Sequence, residues 1–218
     1  MAKNIKVSTP VGTAKWPFLN KPSTIFAPAY KVDLVLPAKE AKPIIDKIKA
    51  VQTDKAAGKN VKLAALPIET EFDNQGNKTG NVILKCKSTV REHFDPKPVI
   101  FDSRCNKIDV AIGGGTKMKI ALELYCWEAA SLGVGVILQP RAVKVIDLVE
   151  DTGSASAENC GASADSYGAS ADSYGFEEED GYVADEKEQR KMAMVKLHHP
   201  RPGLAQVLCS AKRYQFLS

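Results

Sequence analysis

The residues in this sequence that could do chemistry are cations and flat rings set at strand spacing. From Lys117 to Trp127 (KMKIALELYCW), Met118, Ile120, Leu122 and Leu124 alternate with Lys117, Lys119, Ala121, Glu123, Tyr125 and Trp127. Successive side chains of a strand point to opposite faces, so the first set is a core face and the second presents two lysines followed by two aromatics. In 81–91, Val82, Leu84 and Cys86 alternate with Ile83, Lys85, Lys87, Thr89 and Arg91, and again one face is basic. Cations neutralise phosphates, and an aromatic ring stacks on a base for about 1–3 kcal/mol whatever its identity. Together the two faces have the chemistry of a groove for one strand of nucleic acid. A single strand would equally suit lysines solvating a sheet with Tyr125 and Trp127 capping its core. Two strands with the same bias favour binding.

Other chemistries find no support. Gly113-Gly114-Gly115-Thr116-Lys117 brushes against a phosphate-binding loop, but the register is wrong and a strand follows, where the Walker pattern opens a helix. His93, His198 and His199 and the five cysteines (86, 105, 126, 160, 209) lack metal-ligand spacing such as C-x2-C. No nucleophile sits with a recognisable base. The expectation is a binding protein, not an enzyme, with no metal and no cofactor.

Charge sharpens this. The chain of 218 residues has a formal net charge of only +4, but it is laid out in blocks. Residues 1–150 hold 23 basic and 15 acidic side chains, 151–186 hold 10 acidic and no basic ones, and 187–218 hold 7 basic and 1 acidic. Such asymmetry points to a nucleic-acid-binding body with an acidic tail. An acidic segment tethered to a basic body spends part of its time over the basic groove at high effective concentration, so DNA is expected to compete with it. No run approaches the roughly 18–20 apolar residues of a membrane span. The start lacks an apolar secretory segment and the cysteines are odd in number, which suits reduced thiols in a cytosolic compartment.

The elements that must position these residues are mostly strands. Predicted strands cover 30–36, 81–90, 99–102, 117–127 and 135–149, with Pro140 marking an edge or bulge in the last. Ile44, Ile45, Ile48 and Val51 recur at helical spacing, predicting a helix from Ala38 to about Ala57, with Gly58 ending it. Residues 59–79 read as a loop or irregular strand. Five or so strands, one inserted helix and a Gly-Gly-Gly bend at 113–115 suit a small closed sheet. The five-stranded OB-fold barrel has this size; an SH3-like barrel or a sandwich stays open at this level. The expected organisation is a domain over 1–150, a disordered acidic low-complexity tail over 151–186 containing the repeat GASADSYG (161–168 and 168–175), and a basic extension over 187–218.

The chain resembles the single-stranded DNA-binding proteins of short-tailed, podovirus-type bacteriophages. The matching pieces are Met1-Ala2-Lys3 followed by Gly12-Thr13-Ala14, YKVDLVLP at 30–37, Phe72-Asp73-Asn74, FDS at 101–103, IGGGTKMKI at 112–120, YCW at 125–127, VKVIDLVE at 143–150 and Glu-Glu-Asp-Gly-Tyr-Val-Ala at 178–184. The resemblance covers about 1–186 in order. It implies an OB-fold, a homodimer, coating and annealing of single strands in replication, recombination and repair, and action in the cytoplasm of an infected host. It also implies contact with the phage DNA polymerase and helicase-primase through the acidic tail, here Phe176, Glu177, Glu178, Glu179 and Asp180. Family DNA contacts carry over onto Lys3, Tyr125 and Trp127, which join Lys85, Lys87, Arg91, Lys117 and Lys119. The loop Ile25-Phe26-Ala27-Pro28-Ala29 lacks the basic residue that relatives can carry, and the basic extension departs from tails that end acidic. The rival readings are an RNA-binding OB module, distinguished by preference for 2′-hydroxyl strands, and a scaffold protein that ignores single strands.

Overall fold

The computed structural model describes residues 5–25, 27–59, 61–150 and 170–184. Its elements are strands β1 (Ile5–Ser8), β2 (Gly12–Ser23) and β3 (Ala29–Pro37), helix α1 (Ala38–Ala56), strands β4 (Ile68–Phe72), β5 (Lys78–Thr89), β6 (Val99–Phe101), β7 (Lys117–Ala129) and β8 (Gly133–Asp147), and a 3-10 turn at Ala171–Tyr174. Strands β2, β3, β5, β8 and β7 pair in that order, and β7 returns to β2, so five strands close into a ring. Strands β1, β4 and β6 extend it on β7, β5 and β8 respectively. This is the five-stranded OB-type barrel with a helix inserted between early strands.

Alternation fills the barrel. Val32, Leu34 and Leu36 from β3, Leu84 and Cys86 from β5, Met118, Ile120, Leu122 and Leu124 from β7, and Val136, Leu138, Val143 and Val145 from β8 form one cluster. Helix α1 buries Ala41, Ile44, Ile48 and Gln52, spaced three and four apart as one helix face requires. Gln52 Nε2 donates to the carbonyls of Ala64 and Val134 at 2.8 Å each, tying the connection after the helix to β8. Pro140 stands at the bulge its sequence suggested. Ala121 pairs with Ala142 and Leu122 with Pro140, leaving Arg141 as the extra residue. The described cysteines Cys86, Cys105 and Cys126 are free thiols, and burial raises the pKa of each. Among the described residues, no helix is long and apolar enough to cross a membrane.

Strand β2 has no counterpart in the sequence reading, because it breaks alternation twice. Its pairing with β3 shifts register between Lys15 and Phe18 and again between Phe18 and Ser23. Trp16, at φ 49°, sits at the first shift and is 74% exposed.

Within the acidic segment, residues 170–184 differ from the expected tail. Residues 151–169 and 185–186 lie outside the described residues, but 170–184 form a strap packed on the barrel's outer face. Phe176 is buried in a cluster with Phe101, Ala121, Ala142 and Ala171, with Tyr174 at its edge. The Phe101 and Phe176 rings meet edge-on at 6.1 Å. The fully buried Lys144 donates to the Glu177 carbonyl and lies 3.6 Å from the Glu179 carboxylate, which also pairs with Lys119. Tyr182 N–H donates to Ile146 O at 2.7 Å, and Ser103 N–H to Tyr182 O at 2.9 Å. Three aromatics among acidic and small residues suffice to anchor the segment, where composition alone suggested disorder.

Truncation after Glu150 therefore uncovers Phe101 and strands Lys144, whereas truncation after Ala184 does not. Removing the buried Phe176 alone costs about 3–5 kcal/mol. We expect protein truncated after Glu150 to unfold at clearly lower urea than protein truncated after Ala184; equal midpoints would contradict a docked strap.

Candidate nucleic-acid interface

Strand register assembles a row of side chains around the outside of the barrel. Phe18 of β2 pairs with Lys31 of β3, and Lys31 with Lys87 of β5. Cys86, just before Lys87, pairs with Leu138 of β8, so Gln139 comes next. Gln139 pairs with Glu123 of β7, and Glu123 with Lys6 of β1. Arg141, released from the ladder by the bulge at Pro140, donates from Nε to Glu123 and from Nη2 to Gln139. Its guanidinium lies 5.9 Å from the centre of the Phe94 ring. A turn in which Arg91 and Phe94 exchange backbone hydrogen bonds places that ring. Tyr125, two residues beyond Glu123, is 42% exposed, and Phe94 is 52% exposed.

The next row along the same strands is neutralised within the protein. Lys15, Asp33 and Lys85 lie side by side across β2, β3 and β5. Lys85 Nζ reaches Glu69 of β4 at 2.6 Å, and Lys15 pairs with Glu71. Burial raises the pKa of the Asp33 carboxyl, opposed by Lys85. Hydrogen bonds from Lys15, Asn81 and Thr79 hold Glu71 down to about 2. The Lys31–Lys87 pair has no such compensation: among the described residues neither lysine has a carboxylate within ion-pair distance. Lys31 instead lies 4.8 Å above the Phe18 ring. Like charges directly opposite on a sheet destabilise it.

The sequence-predicted residues divide accordingly. Lys87 and Tyr125 lie in or beside the uncompensated row, and Arg91 opens the turn that carries Phe94. Lys85, Lys117 and Lys119 are paired, with Glu69, Asp147 (3.5 Å) and Glu179. Trp127 is half-buried and its ring lies over Gly135, where a Cβ would come within 2.2 Å of it. Lys3 lies outside the described residues. In the acidic group, Phe176 is buried and Glu179 is paired, while Glu177, Glu178 and Asp180 stay exposed. The sequence reading missed Lys6, Phe18, Lys31, Phe94 and Arg141. Lys31 stood in a recognised strand, and its alternation with the core residues Val32 and Leu34 was a usable signal; Lys6 depends on the pairing of β1 with β7, and Phe18, Phe94 and Arg141 on bulges and a turn.

Three of the amides in the glycine loop before β7 are used within the protein. Gly113 N–H donates to Val149 O, Gly115 N–H to Ala14 O, and Thr116 N–H to Gly113 O. Its role is to turn the chain into β7.

No protein-family model matches the sequence. No curated protein matches it either. Solved structures do. The chain is similar to gp2.5, a single-stranded DNA-binding protein encoded by bacteriophage T7, with a TM-score of 0.57 and 25% identity, covering 73% of this chain and 100% of that one. It is also similar in fold to the single-stranded DNA-binding protein of bacteriophage Enc34. A C-terminally truncated form gives a TM-score of 0.51 at 15% identity, over 64% of this chain and 84% of that one. A complex of that protein with single-stranded DNA gives 0.50 at 15% identity, over 67% and 86%. The barrel is therefore the fold of phage single-stranded DNA-binding proteins, and these neighbours are binding proteins.

Two measurements follow from the ion-pair geometry and the Trp127 contact. Glu71 is held to about 2 from an ordinary 4.5. Its contribution to stability is complete above pH 4.5 and is lost as the pH falls from there towards 2, where the unfolded chain takes up the proton first. Glu71→Gln should flatten the fall of the urea midpoint across that window, and an unchanged pH profile would contradict the assignment. Gly135→Ala should lift the Trp127 ring and cost about 1–3 kcal/mol, read by tryptophan fluorescence and urea unfolding. A variant with wild-type stability and fluorescence would refute the close contact.

Proposed function

We propose that this chain, built on the fold of the phage single-stranded DNA-binding proteins, binds single-stranded DNA without regard to sequence and has no catalytic activity. The observation that carries the reading is the uncompensated Lys31–Lys87 pair, flanked by Phe18 on one side and by Arg141, Phe94, Tyr125 and Lys6 on the other. Phosphates satisfy the cations and bases stack on the rings, neither of which reads sequence. The similarity to the whole of the solved gp2.5 chain supports the same reading.

Its wider setting is phage DNA replication, recombination and repair in the cytoplasm of the infected host. There the protein acts as a homodimer, coats exposed strands and promotes annealing of complementary ones. The exposed carboxylates of Glu177, Glu178 and Asp180, with the acidic residues before the strap, are the surface through which it meets the phage DNA polymerase and helicase-primase. The docked strap modifies the expectation that the whole acidic block competes with DNA. Glu179 already has the barrel partners Lys119 and Lys144, so competition falls to the acidic side chains without such partners.

Titration of labelled oligo-dT, the matching RNA and duplex DNA against salt tests the proposal. Single-stranded DNA should bind best, with log K falling against log salt. Lys87→Ala should reduce that slope by about 0.7, the value for one phosphate contact on a single strand. Tyr125→Ala should weaken binding about 5- to 150-fold without unfolding the barrel. Preference for the RNA strand would favour an RNA-binding role, and no binding to single strands would leave a scaffold.

A further inference from the structure

The strap does more than cover apolar surface. Where its 3-10 turn meets β1 and β7, it leaves a cavity of about 280 Å³. Lys6, Ser8 and Arg141 supply polar walls, Ala121 and Leu122 an apolar floor, and Tyr174 with its neighbours in the strap closes the remaining side. The cavity lies at one end of the row described above, since Lys6 and Arg141 belong to both. The volume falls just below the roughly 300–1,000 Å³ of pockets that enclose small ligands. It is too small for a peptide segment and suits one nucleotide unit.

Charge points the same way. Lys6 and Arg141 bring two positive charges, and Glu123, which pairs with both of them by register or hydrogen bond, brings one negative. The surplus of one positive charge matches a single phosphodiester. Lys6 has no ion-pair partner among the described residues, and Arg141 keeps donors beyond the two it uses. Tyr174 offers a ring whose position is set by Phe101 at 6.1 Å and Phe176 at 6.5 Å, so stacking a base on it orders little that is not already ordered.

We propose that this cavity is a single-nucleotide pocket: the base lies against Tyr174 over Ala121 and Leu122, and its phosphate rests on Lys6 and Arg141. Resting on the single-strand-binding reading above, it adds that the DNA path ends, at the β1 side of the barrel, in a partly open pocket and not on flat sheet. The strap thereby becomes part of the ligand surface.

The probe is dTMP, which is too short to span the row, titrated into the full-length protein and followed by NMR or calorimetry, with oligo-dT titrated in parallel. We expect saturable dTMP binding that weakens with salt. Tyr174→Phe should retain it. Tyr174→Ala should lose about 5- to 150-fold for both dTMP and oligo-dT, the effect of removing one stacked ring. Because Tyr174→Ala loosens the strap, the exposed Lys6→Ala provides a second variant, expected to weaken dTMP and to remove most of its salt dependence. No saturable dTMP binding by the wild type, or unchanged binding by Lys6→Ala and Tyr174→Ala together, overturns the pocket. If oligo-dT fails to bind while dTMP binds as described, the pocket stands and the wider single-strand function falls.

Discussion

Closure of the ring at the seam between β2 and β7 is the constraint on which the rest depends. Only Gly12 and Thr13 pair across it, with Met118 and Lys117, supported by Ala14 N–H donating to Thr116 O at 2.9 Å. At Gly12 a Cβ would lie 2.7 Å from the Leu36 side chain and 2.8 Å from Val35 O, so β3 can pass beneath only because that position is bare. Once the seam forms, the chain before it continues along the same edge of β7 as β1, from Ser8 opposite Ala121 to Ile5 opposite Leu124. The five-stranded ring thus acquires β1 as a further strand beside its outer row, and Lys6 arrives with it.

Closure also explains how charge is sorted. Residues far apart in the chain stand side by side around the barrel, and rows only two residues apart meet different surroundings. The Lys15–Asp33–Lys85 row is backed by β4, whose Glu69 and Glu71 neutralise it. β4 pairs with β5 only from Leu84 towards its start, ending short of Lys87. The Lys31–Lys87 pair is therefore left without a carboxylate partner, at the cost of like-charge repulsion in the free protein. Further along β7 and β8, Glu179 meets Lys119 and Lys144, and the strap covers the fully buried Lys144.

Much of this was legible in the sequence. The alternation in β3, β5, β7 and β8 separates core from surface, the periodicity of 38–57 marks the helix, and Pro140 announces a bulge, because each depends on near neighbours. Lys87 and Tyr125 were assigned to outward faces on the same basis. Strand β2 was hidden by its register shifts, and the docking of 170–184 was hidden by its composition, since Phe176 is buried only because Phe101 and Ala142 wait for it.

The sequence by itself determined which residues face outward and that the body carries excess positive charge; both are properties of local periodicity and composition. Which of the outward cations remain uncompensated was decided by the tertiary structure. Lys85 and Lys87 occupy the same face of the same strand, two residues apart, and nothing local distinguishes them. Lys85 meets Glu69 and Lys87 meets Lys31 because ring closure and the short reach of β4 set their neighbours. Ion pairing depends on distances of a few ångströms between groups remote in sequence, and only the closed barrel specifies those.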